Sequence, residues 1–299
     1  MIVTGGGGFI GSHLVRALLE KGDEVHVVDT FVAGKLPERL DARAQYYEID
    51  ITNTDALSAL MEGADTVFHL AAIPRVPYSV AHPVESTHAN ITGTVSVLTA
   101  ASRSKVRRVV SSSSGSVYGH PATLPLTESM VPNPVNPYAL QKYAGERFAA
   151  LWASSFNIET VSLRYFNVYG PGLDPHGPYA LAVGAFILAR KEGRPLTIFG
   201  DGTITRDYTH VSDVVLANLL AATSHRVGKG EVINIGTGSN NTIKVLAEMV
   251  GGEIVYAAPR IEAHDSRADN LRAKELLGWE PTVSLAVGIA ALKKEWGIA

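Results

Sequence analysis

The sequence predicts an α/β fold: a doubly wound parallel sheet followed by a smaller C-terminal α/β unit. Two observations carry this. Short β-branched segments alternate with helical patterns through the first half of the chain, and a glycine-rich turn separates the first strand from the first helix. Near-continuous apolar strands that alternate with helices form a parallel sheet covered on both faces.

Residues 2–4, 24–28, 45–49, 66–70, 108–112 and 160–164 read as strands, each between turn or helix signals. The helix after the first strand carries Leu14, Leu18 and Leu19 on one side and stops at Gly22. Residues 170–179 form a Gly/Pro-rich loop, and a helix is expected from 182 to about 192. Strands are expected at 196–199 and 232–235, and helices at 212–223 and 285–296. These elements predict a nucleotide-binding domain over 1–165, with a return to its sheet around 205–236, and a substrate-binding domain over 166–299.

The composition narrows the function. The chain has 299 residues, 46% hydrophobic and 18% charged, with a formal net charge of −3. That is an ordinary globular balance. Its basic residues are scattered, so neither a nucleic-acid face nor a membrane-surface helix is expected. It has no cysteine, which rules out disulfides, thiolate metal sites and cysteine nucleophiles. Its ten histidines show no ligand-like spacing, and no metal is expected. Met1 runs at once into the first strand without a leader-like stretch, and no uncharged apolar run approaches membrane-spanning length. A cytoplasmic location is the expectation.

Gly5-Gly6-Gly7-Gly8-Phe9-Ile10-Gly11 opens the first helix. Glycine there lets a pyrophosphate approach the backbone, and the helix N-terminus favours its negative charge. A glycine run alone could be a tight turn with no ligand. Here the strand–turn–helix context is correct and Asp29 ends the second strand, where its carboxylate suits an adenosine ribose and repels a 2′-phosphate. NAD is therefore the expected cofactor, with Asp50 and Ile51 at the next strand end flanking the adenine.

Asn136 suits a helix N-cap and Pro137 the first helical position. Tyr138 and Lys142, four residues apart, then share a helix face. A phenol has a reference pKa near 10, and a neighbouring ammonium favours its ionised form. Tyr and Lys at this spacing also occur on plain helix surfaces. They gain meaning from the serine run at 111–114, which follows the fifth strand and offers Ser114 as a hydroxyl able to relay a proton.

The order of these motifs resembles the extended branch of the short-chain dehydrogenase/reductase family, with its Rossmann-type domain. Thr4 to Gly11 looks like that branch's TGGxGFIG opening, and His69-Leu70-Ala71-Ala72 resembles its HLAA segment. Asn90 matches a structural Asn of the family, and Leu276 to Pro281 matches its LGWxP ending. Over nearly the whole chain the similarity is to nucleotide-sugar epimerases. It implies cofactor contacts from Gly5, Gly8, Phe9, Ile10 and Gly11, and from Leu70, Ala71 and Ala72. Further cofactor contacts are implied from Ser112, Tyr138, Lys142 and Tyr165, the last near the nicotinamide. Leu163 to Pro171 looks like LRYFNVYGP, which implies that Asn167 contacts the sugar diphosphate. Arg206 to Asp213 resembles RDYxHVxD, which puts Arg206 on a phosphate; a guanidinium pairs two oxygens at once. Pro259-Arg260-Ile261-Glu262 resembles the PRxGD region without its Gly-Asp, and implies a diphosphate contact for Arg260.

The serine run separates reactions within the family. Dehydratases carry Asp-Glu where Gly115 and Ser116 stand, decarboxylases carry Glu at 116, and epimerase-reductases use a cysteine. The pattern that remains implies 4-epimerisation of a UDP-hexose, UDP-glucose or UDP-galactose, through a 4-keto sugar, with Ser114, Tyr138 and Lys142 catalytic. UDP-GlcNAc/GalNAc epimerisation is the alternative, since residues 76–79 resemble a segment that brings Ser79 near the sugar in epimerases of N-acetylated hexoses. Another nucleotide-sugar oxidoreductase, or a redox-sensing binding protein on the same fold, also stays open. The helices expected around 85–103 and 138–154 carry apolar residues on more than one side, and the resemblance implies a homodimer through them.

Overall fold

The computed structural model describes residues 1–32, 34–175, 181–259 and 265–298. β1 (Ile2–Thr4) leads through the glycine turn into α1 (Phe9–Glu20), and β2 (His26–Asp29) and β3 (Gln45–Glu48) follow. Next come α2 (Thr54–Leu60), β4 (Thr66–His69), α3 (Val76–Ala81), α4 (Pro83–Thr87) and α5 (Gly93–Arg103). β5 (Arg108–Ser114), α6 (Pro137–Ser155) and β6 (Glu159–Tyr165) complete the first half. The second half holds β7 (Val168–Tyr169), α7 (Ala182–Lys191), β8 (Leu196–Phe199), β9 (Thr205–Arg206), β10 (Thr209–His210), α8 (Val211–Thr223) and β11 (Lys229–Ile235). It ends with β12 (Asn241–Thr242), α9 (Ile243–Val250), β13 (Ile254–Ala257), α10 (Leu271–Leu277) and α11 (Leu285–Glu295).

Seven strands form one parallel sheet in the order β11-β6-β5-β4-β1-β2-β3. Chain direction across the sheet reverses between β1 and β4, so a crevice opens at their C-terminal ends. One face is covered by α1 and α8 through Leu14, Val15, Leu18, Val214 and Ala217. The other is covered by α2, α5 and α6 through Leu57, Val97, Leu98, Phe148 and Trp152. β11 returns to this sheet beside β6, as the apolar segment at 232–235 suggested. A second core gathers Tyr169, Phe186, Ile187, Leu246, Ile289 and Leu292 around the parallel pair β8 and β13.

Local chemistry sets the helix ends. Asn136 Oδ1 accepts the Ala139 N–H at 2.9 Å, and Pro137 opens α6. Gly22, at φ +87°, follows α1. β5 and β6 run past the expected ends, to Ser114 and Tyr165, because the serines keep pairing in register with β6. The helix expected around 85–103 is broken by a π-helical turn at His88–Thr92. Among the described residues no helix is long and apolar enough to cross a membrane.

Asp213, fully buried at the start of α8, ties the two cores together. Its carboxylate accepts the N–H groups of Thr282 and Val283 and the Thr282 hydroxyl, at 2.6–3.1 Å, and its carbonyl accepts Trp279 Nε1–H. Asp213→Ala removes both carboxylate oxygens and with them the acceptors of three hydrogen bonds. Calorimetric melting should show a loss of about 1–3 kcal/mol, the usual cost of orphaned polar groups. An unchanged melting temperature would show that this tie contributes nothing.

Candidate active site

At the mouth of the crevice the glycines are in contact. A Cβ on Gly5, at φ +73°, would lie 2.6 Å from the Ala71 nitrogen, and one on Gly11 would lie 2.1 Å from the Gly5 carbonyl oxygen. Gly8 is the N-cap of α1, whose first turn, starting at Phe9 and Ile10, carries no acidic residue and no side-chain cap. That is a helix end suited to a pyrophosphate. Asp29 Oδ2 accepts the Gly7 N–H at 3.0 Å and Oδ1 accepts the Phe31 N–H at 2.8 Å. The carboxylate is thereby fixed beside the turn with lone pairs left for ribose hydroxyls. Leu70 and Ala71 lie against the same corner, with Leu70 N–H on the Thr4 carbonyl at 3.0 Å; Ala72 follows. These residues fit a dinucleotide. Asp50 and Ile51 stand farther out. The Asp50 carboxylate turns back onto Thr52, and Ile51 is buried against Gly93.

The serine run and α6 meet at the same sheet edge. Ser114 Oγ accepts the Ser116 N–H at 3.1 Å and the Ser116 hydroxyl at 2.9 Å. Its hydroxyl faces the Tyr138 phenol and favours the ionised form of that group. Lys142 Nζ donates to the Ser112 carbonyl at 3.0 Å and the Ser112 hydroxyl at 3.2 Å, and sits 6.0 Å from the centre of the Tyr138 ring. Ser112, Ser114, Tyr138 and Lys142 are thus one cluster.

The expected electrostatics within that cluster need correction. Burial pushes the Tyr138 phenol up to about 12, opposed only by the Ser114 hydrogen bond. Burial also brings the Lys142 ammonium down to about 8, opposed by Glu146. Lys142 points its charge at β5 rather than at the phenol oxygen, so desolvation wins and Tyr138 holds its proton.

Behind the cluster His69 is buried and held neutral, down at about 3. The Thr94 hydroxyl donates to the Asn90 carbonyl, so His69 Nε2–H donates to Thr94 Oγ1 while Nδ1 accepts from Thr4 Oγ1. Asn90 grips Ile73 at both N–H and carbonyl and donates to Gln141 of α6.

Toward the second core, Tyr165 lies opposite Ser114 in register, but its ring is buried and its hydroxyl donates to Asn218 of α8 at 3.0 Å. Two residues on, Asn167 lines a cavity of about 290 Å³ together with Tyr169, Phe186, Phe199, Arg206 and Tyr208. Asn167, at φ +31°, donates to the Asp207 carbonyl. Arg206 lies half-buried on the cavity wall with Nη1 on the Thr205 carbonyl. The Asp207 carboxylate turns away from the cavity to bind Thr237, Gly238 and Ala268. Arg260 lies outside the described residues.

Ser79 lies against the first turn of α6. It is fully buried and its Oγ accepts the Tyr138 N–H at 3.1 Å, because the first turn of α6 needs an acceptor there. Ser116 and Glu146 were not singled out from the sequence. Their signals were the hydroxyl two places after Ser114 and the carboxylate one helical turn after Lys142.

Comparison with known proteins agrees with this geometry. Residues 1–236 match the model of the NAD dependent epimerase/dehydratase family. A UDP-glucose 4-epimerase of Mycolicibacterium smegmatis is 39% identical over 97% of this chain and 96% of its own length. The structure of a Thermotoga maritima UDP-glucose 4-epimerase with UDP-glucose superposes with a TM-score of 0.93, at 40% identity, covering 99% of this chain and 97% of that one. A Thermus thermophilus UDP-glucose 4-epimerase in complex with NAD superposes with a TM-score of 0.91, at 32% identity, covering 100% and 99%. With a glycine turn built for a dinucleotide and these relatives spanning its whole length, the chain belongs to the NAD dependent epimerase/dehydratase family.

Proposed function

We propose that this chain is an NAD-dependent 4-epimerase that interconverts UDP-glucose and UDP-galactose through a 4-keto sugar. The observation that carries the reading is the meeting of the Ser114 and Tyr138 hydroxyls beside Lys142, with only glycine and serine at 115 and 116. The site can move one proton and has no second acid–base pair for elimination or decarboxylation. The full-length relatives bearing the UDP-glucose 4-epimerase name support the same reaction.

Each residue then has a role. Gly5, Gly8, Phe9, Ile10 and Gly11 form the pyrophosphate turn, and Asp29 takes the ribose. Asp50, Ile51, Leu70, Ala71, Ala72 and Ser112 complete the cofactor side, and Tyr165 backs it from the core. Bound NAD supplies a reversible hydride acceptor. Once a cation at the mouth of the crevice has ionised its phenol, Tyr138 takes the proton of the sugar O4 and later returns it, while Ser114 holds that oxygen and Lys142 stands as an ammonium on the same helix face. The diphosphate meets Asn167, Arg206 and Arg260, and the aromatic cavity beyond Asn167 takes the uridine. In this division residues 1–165, with the return around 205–236, hold the cofactor, and 166–299 hold the UDP-sugar. The protein works in the cytoplasm as a homodimer. Leu140 and Leu151 of α6, and Val80 and Val84 beside them in the chain's α3–α4 region, remain exposed and supply its apolar contact.

The reaction is tested by incubating the purified protein with a panel of UDP-, GDP- and dTDP-sugars without added cofactor and separating the products. UDP-glucose and UDP-galactose should interconvert, and sugar deuterated at C4 should keep its label. Tyr138→Phe should lower turnover by about 10²–10⁴-fold with NAD binding retained. Washout of the label, or full activity in that variant, would exclude the mechanism. Cofactor choice rests on Asp29: titration should show NAD bound more tightly than NADP, and Asp29→Ala should weaken NAD by about 10–100-fold, the worth of hydrogen bonds to a charged group. Equal NADP binding by the unmodified protein would refute this. Light scattering at micromolar concentration should give the mass of two chains; a monomer mass would refute the dimer.

A further inference from the structure

Beneath Lys142 lies a polar cluster that takes no part in the chemistry above. Glu146 follows Lys142 by four residues on α6, so the two side chains share a helix face. Its carboxylate is pinned on two sides. Arg164 of β6 donates to it through Nε and Nη2, at 2.8 and 2.7 Å, and Ser113 of β5 donates to Oε1. Both members of the ion pair are buried, with side-chain exposures of 3% for Arg164 and 2% for Glu146. The guanidinium also lies over the Tyr118 ring, 4.7 Å from its centre. A buried ion pair gains little net stability from its charges, because desolvation offsets their attraction. Its orientation is the informative feature. The carboxylate sits on the Lys142 side, and the guanidinium lies beyond it toward β6 and Tyr118.

We propose that Glu146 is a positioning residue for the reaction: its carboxylate, clamped by Arg164 and Ser113 one helical turn from Lys142, holds that side chain as an ammonium. The surroundings leave this to Glu146. On α6 the other neighbour is Tyr138, which holds its proton; on β5 Lys142 meets only Ser112; from β4 comes His69, which is neutral. Burial already brings the ammonium down to about 8, and Glu146 is the group that opposes it. The value of this charge to catalysis rests on the epimerase reading, but its effect on Lys142 does not.

The test therefore reads Lys142 directly. The protein is labelled briefly with acetic anhydride across a pH series, and modification of Lys142 is quantified by peptide mass spectrometry. In Glu146→Gln, which keeps the shape and can still meet Ser113 and Arg164, the labelling midpoint should fall by about one pH unit or more, the usual effect of an opposite charge at this range. Glu146→Asp, with the charge set back by one methylene, should move it the same way by less. The high-pH limb of kcat/KM with UDP-glucose should move with it. A labelling midpoint that stays put in either folded variant, or failure of both variants to fold, would make Glu146 purely structural and overturn the proposal. An unmoved midpoint bears on Glu146 alone. Absent turnover in the unmodified protein bears on the epimerase reading alone.

Discussion

The backbone contact between Gly5 and Ala71 is the constraint on which the site depends. β1 and β4 lie side by side, and the chain leaves them in opposite directions, so their ends form the crevice. Only a residue without a Cβ can turn out of β1 there, with Ala71 2.6 Å from where that atom would be. The corner is sealed by Thr4, whose carbonyl accepts from Leu70 and whose hydroxyl meets His69. From His69 the hydrogen bonds pass through Thr94 to the Asn90 carbonyl, and the Asn90 side chain reaches Gln141, next to Lys142 in the chain. The glycine turn and α6 are thus ends of one buried polar chain. A displacement at either end costs hydrogen bonds in a region that water does not reach.

A second buried network lies one strand over. Ser113, Glu146 and Arg164 join β5, α6 and β6 at the level where those elements present Ser114, Lys142 and Tyr165. Apolar packing alone would let α6 slide along the sheet, since its contacts with β5, β6 and β11 are spread over nineteen residues. Two directional clamps, Gln141 to Asn90 and Glu146 to Arg164, fix its rotation and its register. Ser79 fixes its N-terminus by holding the Tyr138 N–H.

The parallel sheet and its return strand at 229–235 were legible because β-branched runs between turn signals leave little ambiguity. The meeting of Ser114, Tyr138 and Lys142 was legible because Tyr138 and Lys142 are local on one helix and Ser114 ends a strand. What the sequence did not show is three-dimensional. The π-helical turn at 88–92 depends on Asn90 reaching Ile73 and Gln141, partners that no local pattern announces. Nothing local announces that Ser79 holds the first turn of α6. The short strand β13 carries little pattern of its own because pairing with β8 holds it in place, whereas α9 does show an apolar face and a Thr242 N-cap in the sequence. Tyr165 keeps its expected backbone position, while its ring turns into the core toward Asn218.

The protonation of the cluster follows from the same burial. A phenol at the end of a covered helix loses hydration, which favours its neutral form, and an ammonium in that place is destabilised for the same reason. In the proposed reaction the two effects pull against each other, because the phenol must lose a proton while the amine must keep one. Lys142 alone cannot reverse the first effect, since it spends its hydrogen bonds on Ser112 and stands 6.0 Å from the ring centre. A cation brought to the mouth of the crevice would favour the phenolate and disfavour the ammonium together. The site can withstand this only if a fixed negative charge lies on the lysine side and away from the phenol. Glu146 has that placement, one turn beyond Lys142 and two turns beyond Tyr138 on the same helix. The order of tyrosine, lysine and glutamate along α6 is therefore an electrostatic gradient, and reversing it would stabilise the wrong protonation state, for the proposed reaction, at both Tyr138 and Lys142.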